Sequence, residues 1–289
     1  MKTFWLILVS IVWGSTFFLI KDTVGSVNEY LIVFIRTGLA FGAMLLFQLF
    51  KDRKNLLNKK AFTYGSILGV LLAITYASQT IGLKLTSTGH SAFITSSAVV
   101  VVPFLLFFFY KFNLLKIDII SVAIVFAGLF LLTYDFETKM NAGDLITIIT
   151  SVTCAIHIVL SGRFVKKTDA VTIVTYQFFA AALVSFLVWI NTDHEPVHIS
   201  PKAGYSLLYL GLIGTLFCYF ISVWVQKYVT SLKVAIVFSL EPVFASMFGY
   251  WALHEILNTK ELIGASLILV GVVVHSILKN RRNINRKHK

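Results

Sequence analysis

An acidic side chain stands in the middle of an apolar run that is long enough to cross a membrane. Glu241 lies near the centre of residues 232–253 and is followed directly by Pro242. A carboxylate at that depth of a bilayer costs at least about 3 kcal/mol, so it should face protein or water rather than lipid. Proline removes a backbone donor, so we expect the helix to weaken at the acid. The pattern predicts the wall of a pathway through a membrane.

A basic side chain, Arg36, lies within another apolar run, residues 28–50. The rise of a helix places Arg36 roughly 12 Å inward from Glu29, and Glu241 about 14 Å inward from Leu232 at the opposite face. Across a core of about 30 Å these depths differ by only a few ångströms. We predict that these two midspan charges are electrostatic partners, directly or through a bridging water or substrate. The alternative is a peripheral second span, with Arg36 capped by backbone carbonyls.

Further polar and aromatic side chains converge on the same group of apolar runs. Tyr76 and Gln79 are three residues apart and share a helix face. Aromatic surfaces with a few polar groups suit a small ligand, although Tyr and Trp also line membrane interfaces. His157 could relay protons near neutral pH, or it could simply pack against a neighbouring helix. The predicted substrate-binding residues are Trp13, Ser15, Tyr76, Gln79, Thr95, His157, Tyr219, Trp224 and Glu241.

The composition restricts the class of protein. Of the 289 residues, 57% are hydrophobic and only 13% are charged, whereas soluble domains carry about 25% charged residues. The net charge of +12 would raise the question of nucleic acid, but the basic residues lie in short loops and at the C-terminus. Orientation in a bilayer explains them, so membrane lipids are predicted partners and nucleic acid is not. Cys154 and Cys218 lie in apolar runs without ligand spacing, so neither a disulfide nor a metal site is predicted.

Ten apolar runs of about spanning length can be counted. They are residues 4–20, 28–50, 62–83, 88–110, 115–133, 144–162, 170–190, 204–226, 232–253 and 261–279. With the N-terminus in the cytoplasm, 19 Lys and Arg residues lie on the inner side and five on the outer side. This bias predicts a multi-pass protein of the cell inner (plasma) membrane, with both termini cytoplasmic and an even number of spans.

Two pairs of glycines have the small-xxx-small spacing that lets helices approach closely. They are Gly38 with Gly42, and Gly65 with Gly69. We predict that both pairs mediate helix packing.

An internal repeat divides the chain into two halves. A shift of 143 residues places Thr88 on Ser231 and Ala98 on Glu241, and a shift of 141 places Arg36 on Gln177. We predict one five-helix repeat over 1–140 and a second over 141–289, the latter ending in a basic cytoplasmic tail. Because five is odd, the halves must have opposite orientations. The predicted fold is an all-α polytopic membrane protein with ten transmembrane helices in two inverted five-helix repeats, an arrangement typical of secondary transporters.

Short motifs occur along the whole chain in a specific order. They are Trp13-Gly14-Ser15-Thr16-Phe17 with Lys21, Arg36, Thr86-Ser87-Thr88-Gly89 with Ser91–Thr95 and Pro103, Gly143-Asp144-Leu145, Leu240-Glu241-Pro242-Val243-Phe244, and Leu253-His254-Glu255. In this order the sequence resembles the EamA-type transporters of the drug/metabolite transporter (DMT) superfamily. The resemblance implies ten helices, cytoplasmic ends and movement of small metabolites, amino acids among them, often outward. Because Ala98 stands where Glu241 falls in the second half, we expect the two gates to differ chemically.

No enzyme motif is present: there is no His-Glu-x-x-His, no phosphate-binding glycine loop and no nucleophile elbow. We therefore predict no enzyme activity and no cofactor. The predicted function is secondary active transport by alternating access, exporting amino acids or related small metabolites. Proton coupling and the oligomeric state stay open. The alternatives are efflux of multiple drugs or cationic compounds and, from a different class, a membrane scaffold that transports nothing.

Overall fold

The computed structural model describes residues 2–133, 140–192, 199–253 and 258–287, so His254 and Glu255 of the last motif lie outside it. Among the described residues, ten helices are long and apolar enough to cross a membrane, which confirms the predicted fold class. Their spanning segments are α1 Lys2–Val24, α2 Glu29–Lys51, α3 Lys59–Leu85, α4 Thr88–Tyr110, α5 Lys116–Thr133, α6 Ala142–Phe164, α7 Ala170–Ile190, α8 Pro201–Val225, α9 Ser231–Trp251 and α10 Thr259–Leu278. Helices α9 and α10 continue to Leu253 and Lys287 beyond these segments. A short 3-10 helix, Arg53–Leu57, joins α2 to α3.

Polar residues in the short loops begin the next helix at once. The side chain of Asn28 accepts hydrogen bonds from the amides of Tyr30 and Leu31 at the start of α2. Asn141 and Asp144 form a reciprocal capping box at the start of α6. The first amides of a helix have no partner within it, and lipid offers none, so such caps let the chain re-enter the membrane after a few residues.

Large apolar side chains cover the outer surface of the bundle. On α4, Phe104, Phe107 and Phe108 are exposed, and on α10 so are Leu262 and Val273. A patch of this size would be a liability in water, but hydrocarbon is its natural solvent. Many polar side chains within the spans, such as Ser10, Thr37 and Thr150, are instead buried in the interior.

Several contacts between helices of the two halves recur when every helix is replaced by its counterpart in the other half, as the following pairs show. Helix α1 packs on α9 as α6 packs on α4, and α2 packs on α8 as α7 packs on α3. Two further packed pairs, α5 with α10 and α2 with α7, each consist of a helix and its own counterpart in the other half. This pattern is expected when two five-helix repeats are related by a two-fold axis in the membrane plane.

Both α4 and α9 are broken at matching positions. Helix α4 consists of Thr88–Ser96 and Ala98–Tyr110, and α9 of Ser231–Phe238 and Glu241–Leu253. The second pieces therefore start at Ala98 and Glu241, which the 143-residue shift superimposes. The predicted weakening at Glu241 is present, but α4 breaks with no proline at its break, since Pro103 lies inside the second piece. The break is thus a property of the repeat, and Pro242 is not its only cause.

Only one of the two glycine pairs mediates helix packing. A Cβ atom added at Gly65 would lie 2.6 Å from the carbonyl oxygen of Ile173 on α7. In contrast, no described residue lies within 4 Å of a Cβ atom added at Gly42, and at Gly38 the one described neighbour is Phe34 of the same helix. The prediction for Gly38 and Gly42 is therefore wrong. The spacing aligns small residues on one face, but it does not supply a helix to pack there.

We expect Gly69→Ala to lower the thermal stability of the purified protein. The added Cβ atom would meet the carbonyl oxygen of Gln177 and would lie 2.7 Å from the Cβ atom of Ala180. Such overpacking costs about 1–3 kcal/mol. The matched control is Gly42→Ala, which should be neutral or slightly stabilising because alanine favours the helix. Equal shifts of the unfolding temperature in both variants would contradict this account.

Candidate functional site

A cavity of about 640 Å³ occupies the half of the protein that is predicted to face outward. Helices α1, α4, α8 and α9 form most of its wall, and we call it the vestibule. Its lining is largely apolar and aromatic, with several hydroxyl groups and one lysine: it includes Ser15, Phe17, Phe18, Lys21, Ser87, Thr88, Tyr209, Pro242, Ser246 and Phe248. Cavities of about 300–1,000 Å³ with this mixture are typical of small-molecule sites.

A second cavity, of about 30 Å³, lies beside the breaks in α4 and α9. We call it the midplane chamber. Its walls are Trp13, Thr16, Arg36, Thr75, Tyr76, Gln79, Thr95, Cys154, Tyr219 and Glu241. The structure thus brings six of the nine predicted binding residues together, along with Arg36. The chamber is large enough for one or two waters or a group of similar size.

The three other predicted residues lie elsewhere. Ser15 lines the vestibule, where its hydroxyl is 2.8 Å from the hydroxyl of Tyr209. His157 lies behind Tyr219, and its Nε2 atom is 3.1 Å from Oε1 of Gln177 on the neighbouring α7. Trp224 packs toward the predicted inner end, with Nζ of Lys2 at 3.7 Å from its ring centroid. Five residues beyond Tyr219, it is rotated away from the chamber, because a helix turns once every 3.6 residues.

The two halves meet at the chamber through a pair of equivalent tyrosines. Tyr76 and Tyr219 differ by 143 positions, and their rings are in edge contact with centroids 5.7 Å apart. The ring of Trp13 packs against Tyr219 at 5.3 Å and against Phe238 at 4.9 Å. Equivalent residues of a repeat meet only near the axis that relates them. The chamber therefore lies between the two halves, where inverted-repeat transporters bind substrate.

A π-helical segment of α8, Leu210–Phe217, accepts hydrogen bonds from two chamber residues that lie on other helices, Trp13 and Arg36. The carbonyl of its Gly214 accepts a hydrogen bond from Nε1 of Trp13 at 2.9 Å. The hydroxyl of its Thr215 accepts one from Nε of Arg36 at 3.0 Å. Such segments are rare and occur frequently at functional sites, and the sequence carries no clear signal for this one.

Arg36 projects into the protein interior rather than toward its periphery. The residue is 1% exposed. Its guanidinium carbon lies 3.6 Å from the ring centroid of Tyr76, a cation–π contact. Among the described residues its Nη1 atom has no hydrogen-bond partner. The alternative of capping by backbone carbonyls at the periphery does not describe this environment.

Glu241 is a buried acid at the start of the second piece of α9. Within the described part of the chain, no donor hydrogen-bonds to its carboxylate and no cation forms an ion pair with it. Glu241 and Arg36 therefore line one chamber without a direct salt bridge. The version of the predicted partnership that runs through a bridging water or substrate stays a prediction.

Lys21 ties the outer end of α1 to the end of α3, beside the vestibule. Its Nζ atom donates hydrogen bonds to the carbonyl oxygens of Leu83, at 2.5 Å, and Thr86, at 2.7 Å. We expect Lys21→Met to destabilise the protein by about 1–3 kcal/mol, because these carbonyls lose a charged donor. The control is Lys84→Met, whose exposed ion pair with Glu29 should contribute at most about 1 kcal/mol. Equal losses of thermal stability in the two variants would contradict the assignment.

The EamA-like transporter family matches residues 1–134 and 141–277 of the chain. The chain belongs to the EamA-like transporter family. It is therefore a membrane transporter rather than an enzyme, as the motifs predicted. Among the described residues, no group of three His, Cys, Asp or Glu side chains could hold a metal ion.

Relatives of this EamA-like transporter match over nearly its whole length. A transporter from Archaeoglobus fulgidus is 29% identical over 94% of this chain and 84% of its own length. The Bacillus subtilis transporter YyaM is 29% identical over 92% of this chain and 90% of its own. The S-adenosylmethionine uptake transporter of Rickettsia conorii is 21% identical over 97% and 94%. One crystal structure, 17% identical over 96% of both chains, shares the fold with a TM-score of 0.79.

Proposed function

We propose that this EamA-like transporter exports amino acids or related small metabolites by alternating access. It would act in the cell inner (plasma) membrane with both termini in the cytoplasm. The observation that carries the proposal is the vestibule, which ends beside a buried chamber lined by an arginine and an acid. Toward the predicted inner side, apolar side chains that include Leu6, Val102 and Ile236 pack into one buried cluster. A cavity on one side and packed helices on the other correspond to one state of an alternating-access cycle.

The chemistry of the lining supports an amino acid or a related metabolite as the substrate. Glu241 suits an ammonium group, Arg36 suits a carboxylate, and the rings of Phe17, Phe18 and Phe248 suit an apolar side chain. The name of the Rickettsia conorii relative gives S-adenosylmethionine, a small metabolite, as what that protein takes up.

Efflux of cationic compounds is the second candidate function. The uncompensated carboxylate of Glu241 and the aromatic vestibule favour a cation with apolar groups. A substrate of that kind leaves the buried charge of Arg36 without a counter-ion, however. Transport assays with amino acids and cationic dyes, using purified protein in liposomes, separate the two functions.

Alternating access predicts changing water exposure at the chamber. In a variant with Cys154 and Cys218 replaced by alanine, we expect single cysteines at Gln79 and Tyr219 to react with aqueous thiol reagents and to be protected by substrate. Both side chains are buried in the present state, so their reaction requires the halves to move. A cysteine at Val100, which is exposed on the apolar outer surface midway along α4, serves as the unreactive control. Lack of reaction at Gln79 and Tyr219 under every condition would contradict alternating access at this site.

A further inference from the structure

We propose that the midplane chamber is a carboxylate subsite, in which Nη1 of Arg36 binds the acid group of the transported molecule. This inference rests on the proposed function and refines it by defining the substrate as a zwitterion with an apolar body. Its starting point is a buried charge that the protein itself leaves incompletely compensated.

Arg36 is oriented by contacts that do not neutralise it. The hydroxyl of Thr215 accepts from Nε, and the ring of Tyr76 lies against the guanidinium plane. The hydroxyls of Thr215 and Tyr76 are themselves 3.1 Å apart. A guanidinium stays charged in proteins, and an unpaired charge in a membrane is costly. With Nε and the ring face occupied, Nη1 is left pre-organised for an anionic ligand.

Glu241 does not fill this role in the present state. It lines the chamber from α9, but it forms no ion pair with Arg36. A monocation would compensate Glu241 alone, and a monoanion would compensate Arg36 alone. A molecule with one ammonium group and one carboxylate compensates both. The hydroxyl of Thr95, also buried in this wall without a partner among the described residues, offers the carboxylate a further donor.

The sizes of the two cavities give the ligand an orientation. About 30 Å³ accepts a carboxylate-sized group but no side chain. The vestibule reaches Ser15 and Pro242, and the chamber begins at the adjoining residues Thr16 and Glu241. The carboxylate of the ligand therefore occupies the chamber, its ammonium group lies at Glu241 where the chamber adjoins the vestibule, and its apolar body extends into the vestibule.

The repeat indicates that an arginine at this position is a specialisation of the first half. Gln177 on α7 is its counterpart, and that side chain bonds to His157 and does not line the chamber. The equivalent position on α7 thus carries an uncharged amide within the same arrangement of helices. For this reason we choose Arg36→Gln as the test variant.

The experiment compares ligands that differ only in their charged groups. Binding to the purified full-length protein is measured by ligand-induced thermal stabilisation and by calorimetry for leucine, methionine and phenylalanine. Each amino acid is paired with its amide, which lacks the carboxylate. In the wild-type protein we expect each preferred amino acid to bind at least about tenfold more tightly than its amide, because a charge-assisted hydrogen bond is lost in the amide. In Arg36→Gln this preference should disappear, because the carboxylate and the amide then meet the same uncharged side chain.

Two further variants make the result decisive. Lys84→Gln removes an exposed cation outside both cavities and should leave the preference intact. Arg36→Lys keeps the charge but loses the planar fork, so the preference should fall by at least about threefold. If Arg36→Gln fails to fold, Arg36→Lys still tests the carboxylate subsite, since an unchanged preference for the amino acid in this variant would overturn the inference.

The outcomes separate the inference from the proposed function. Equal binding of amino acids and amides by the wild-type protein, or a retained preference in Arg36→Gln, overturns the carboxylate subsite and leaves amino acid transport standing. Binding and transport of cationic dyes, with none of the amino acids, overturns both.

Discussion

Replacing Glu241 by glutamine is expected to abolish the accumulation of substrate against a gradient while leaving substrate exchange intact. Glu241 stands beside the helix break, buried and without a compensating cation among the described residues. If this carboxylate alternately holds a proton and the substrate cation, glutamine retains the shape of the site but cannot release a proton. Buried ionisable groups of this kind in membrane proteins are typical of proton relays.

Proteoliposomes loaded with substrate provide the measurement for Glu241→Gln. An imposed proton gradient should drive accumulation in the wild type and should leave the variant at the level of empty liposomes. Counterflow of labelled substrate should persist in both, with a higher KM in the variant because glutamine still accepts a hydrogen bond from an ammonium group but carries no charge. The control is Glu29→Gln, which removes an acid from the outer start of α2, away from both cavities. Intact proton-driven accumulation by the Glu241 variant would refute its role in coupling.

Removing Asp118 should produce the largest loss of stability. Its Oδ1 atom lies 3.1 Å from Nε2 of His275, and the two side chains are 1% and 0% exposed. The other oxygen, Oδ2, accepts a hydrogen bond from the amide of Leu115. This pair links α5 to α10, which pack closely along their length. We expect Asp118→Ala to destabilise the protein by about 3–5 kcal/mol, because a buried pair loses one partner.

Two controls accompany Asp118→Ala. Asp22→Ala removes an exposed ion pair with Lys202 and should change stability by at most about 1 kcal/mol. The double variant Asp118→Leu with His275→Leu should recover part of the loss, since no polar group of the pair is then left buried alone. Unfolding in detergent is the readout, and a loss for Asp118→Ala no greater than that for Asp22→Ala would contradict the assignment. Transport per folded molecule should change little, because neither residue lines the vestibule or the midplane chamber.

The number, length and depth of the helices follow from the sequence by itself. Lipid provides no hydrogen-bond partners, so each crossing must be a helix of sufficient apolar length, and the apolar runs reveal it. The 143-residue shift superimposes Ala98 on Glu241, and the second pieces of α4 and α9 begin at these two residues. Depth along a helix follows from its rise. This is why residues as distant in sequence as Trp13, Tyr76 and Glu241 could be predicted to share one site.

Rotation about each helix axis was decided only by the tertiary structure. In an aqueous protein the apolar face of a helix marks its inner side. Here the lipid and the neighbouring helices are both apolar, so the distribution of apolar residues does not indicate which face of a helix is buried. Packing alone turned Arg36 toward Tyr76 and Thr215, turned Trp224 away from the chamber, and left no described residue within 4 Å of a Cβ atom added at Gly42. The same packing leaves Arg36 and Glu241 in one chamber without a direct salt bridge. The contacts of α2 with the π-helical part of α8 hold the arginine in place.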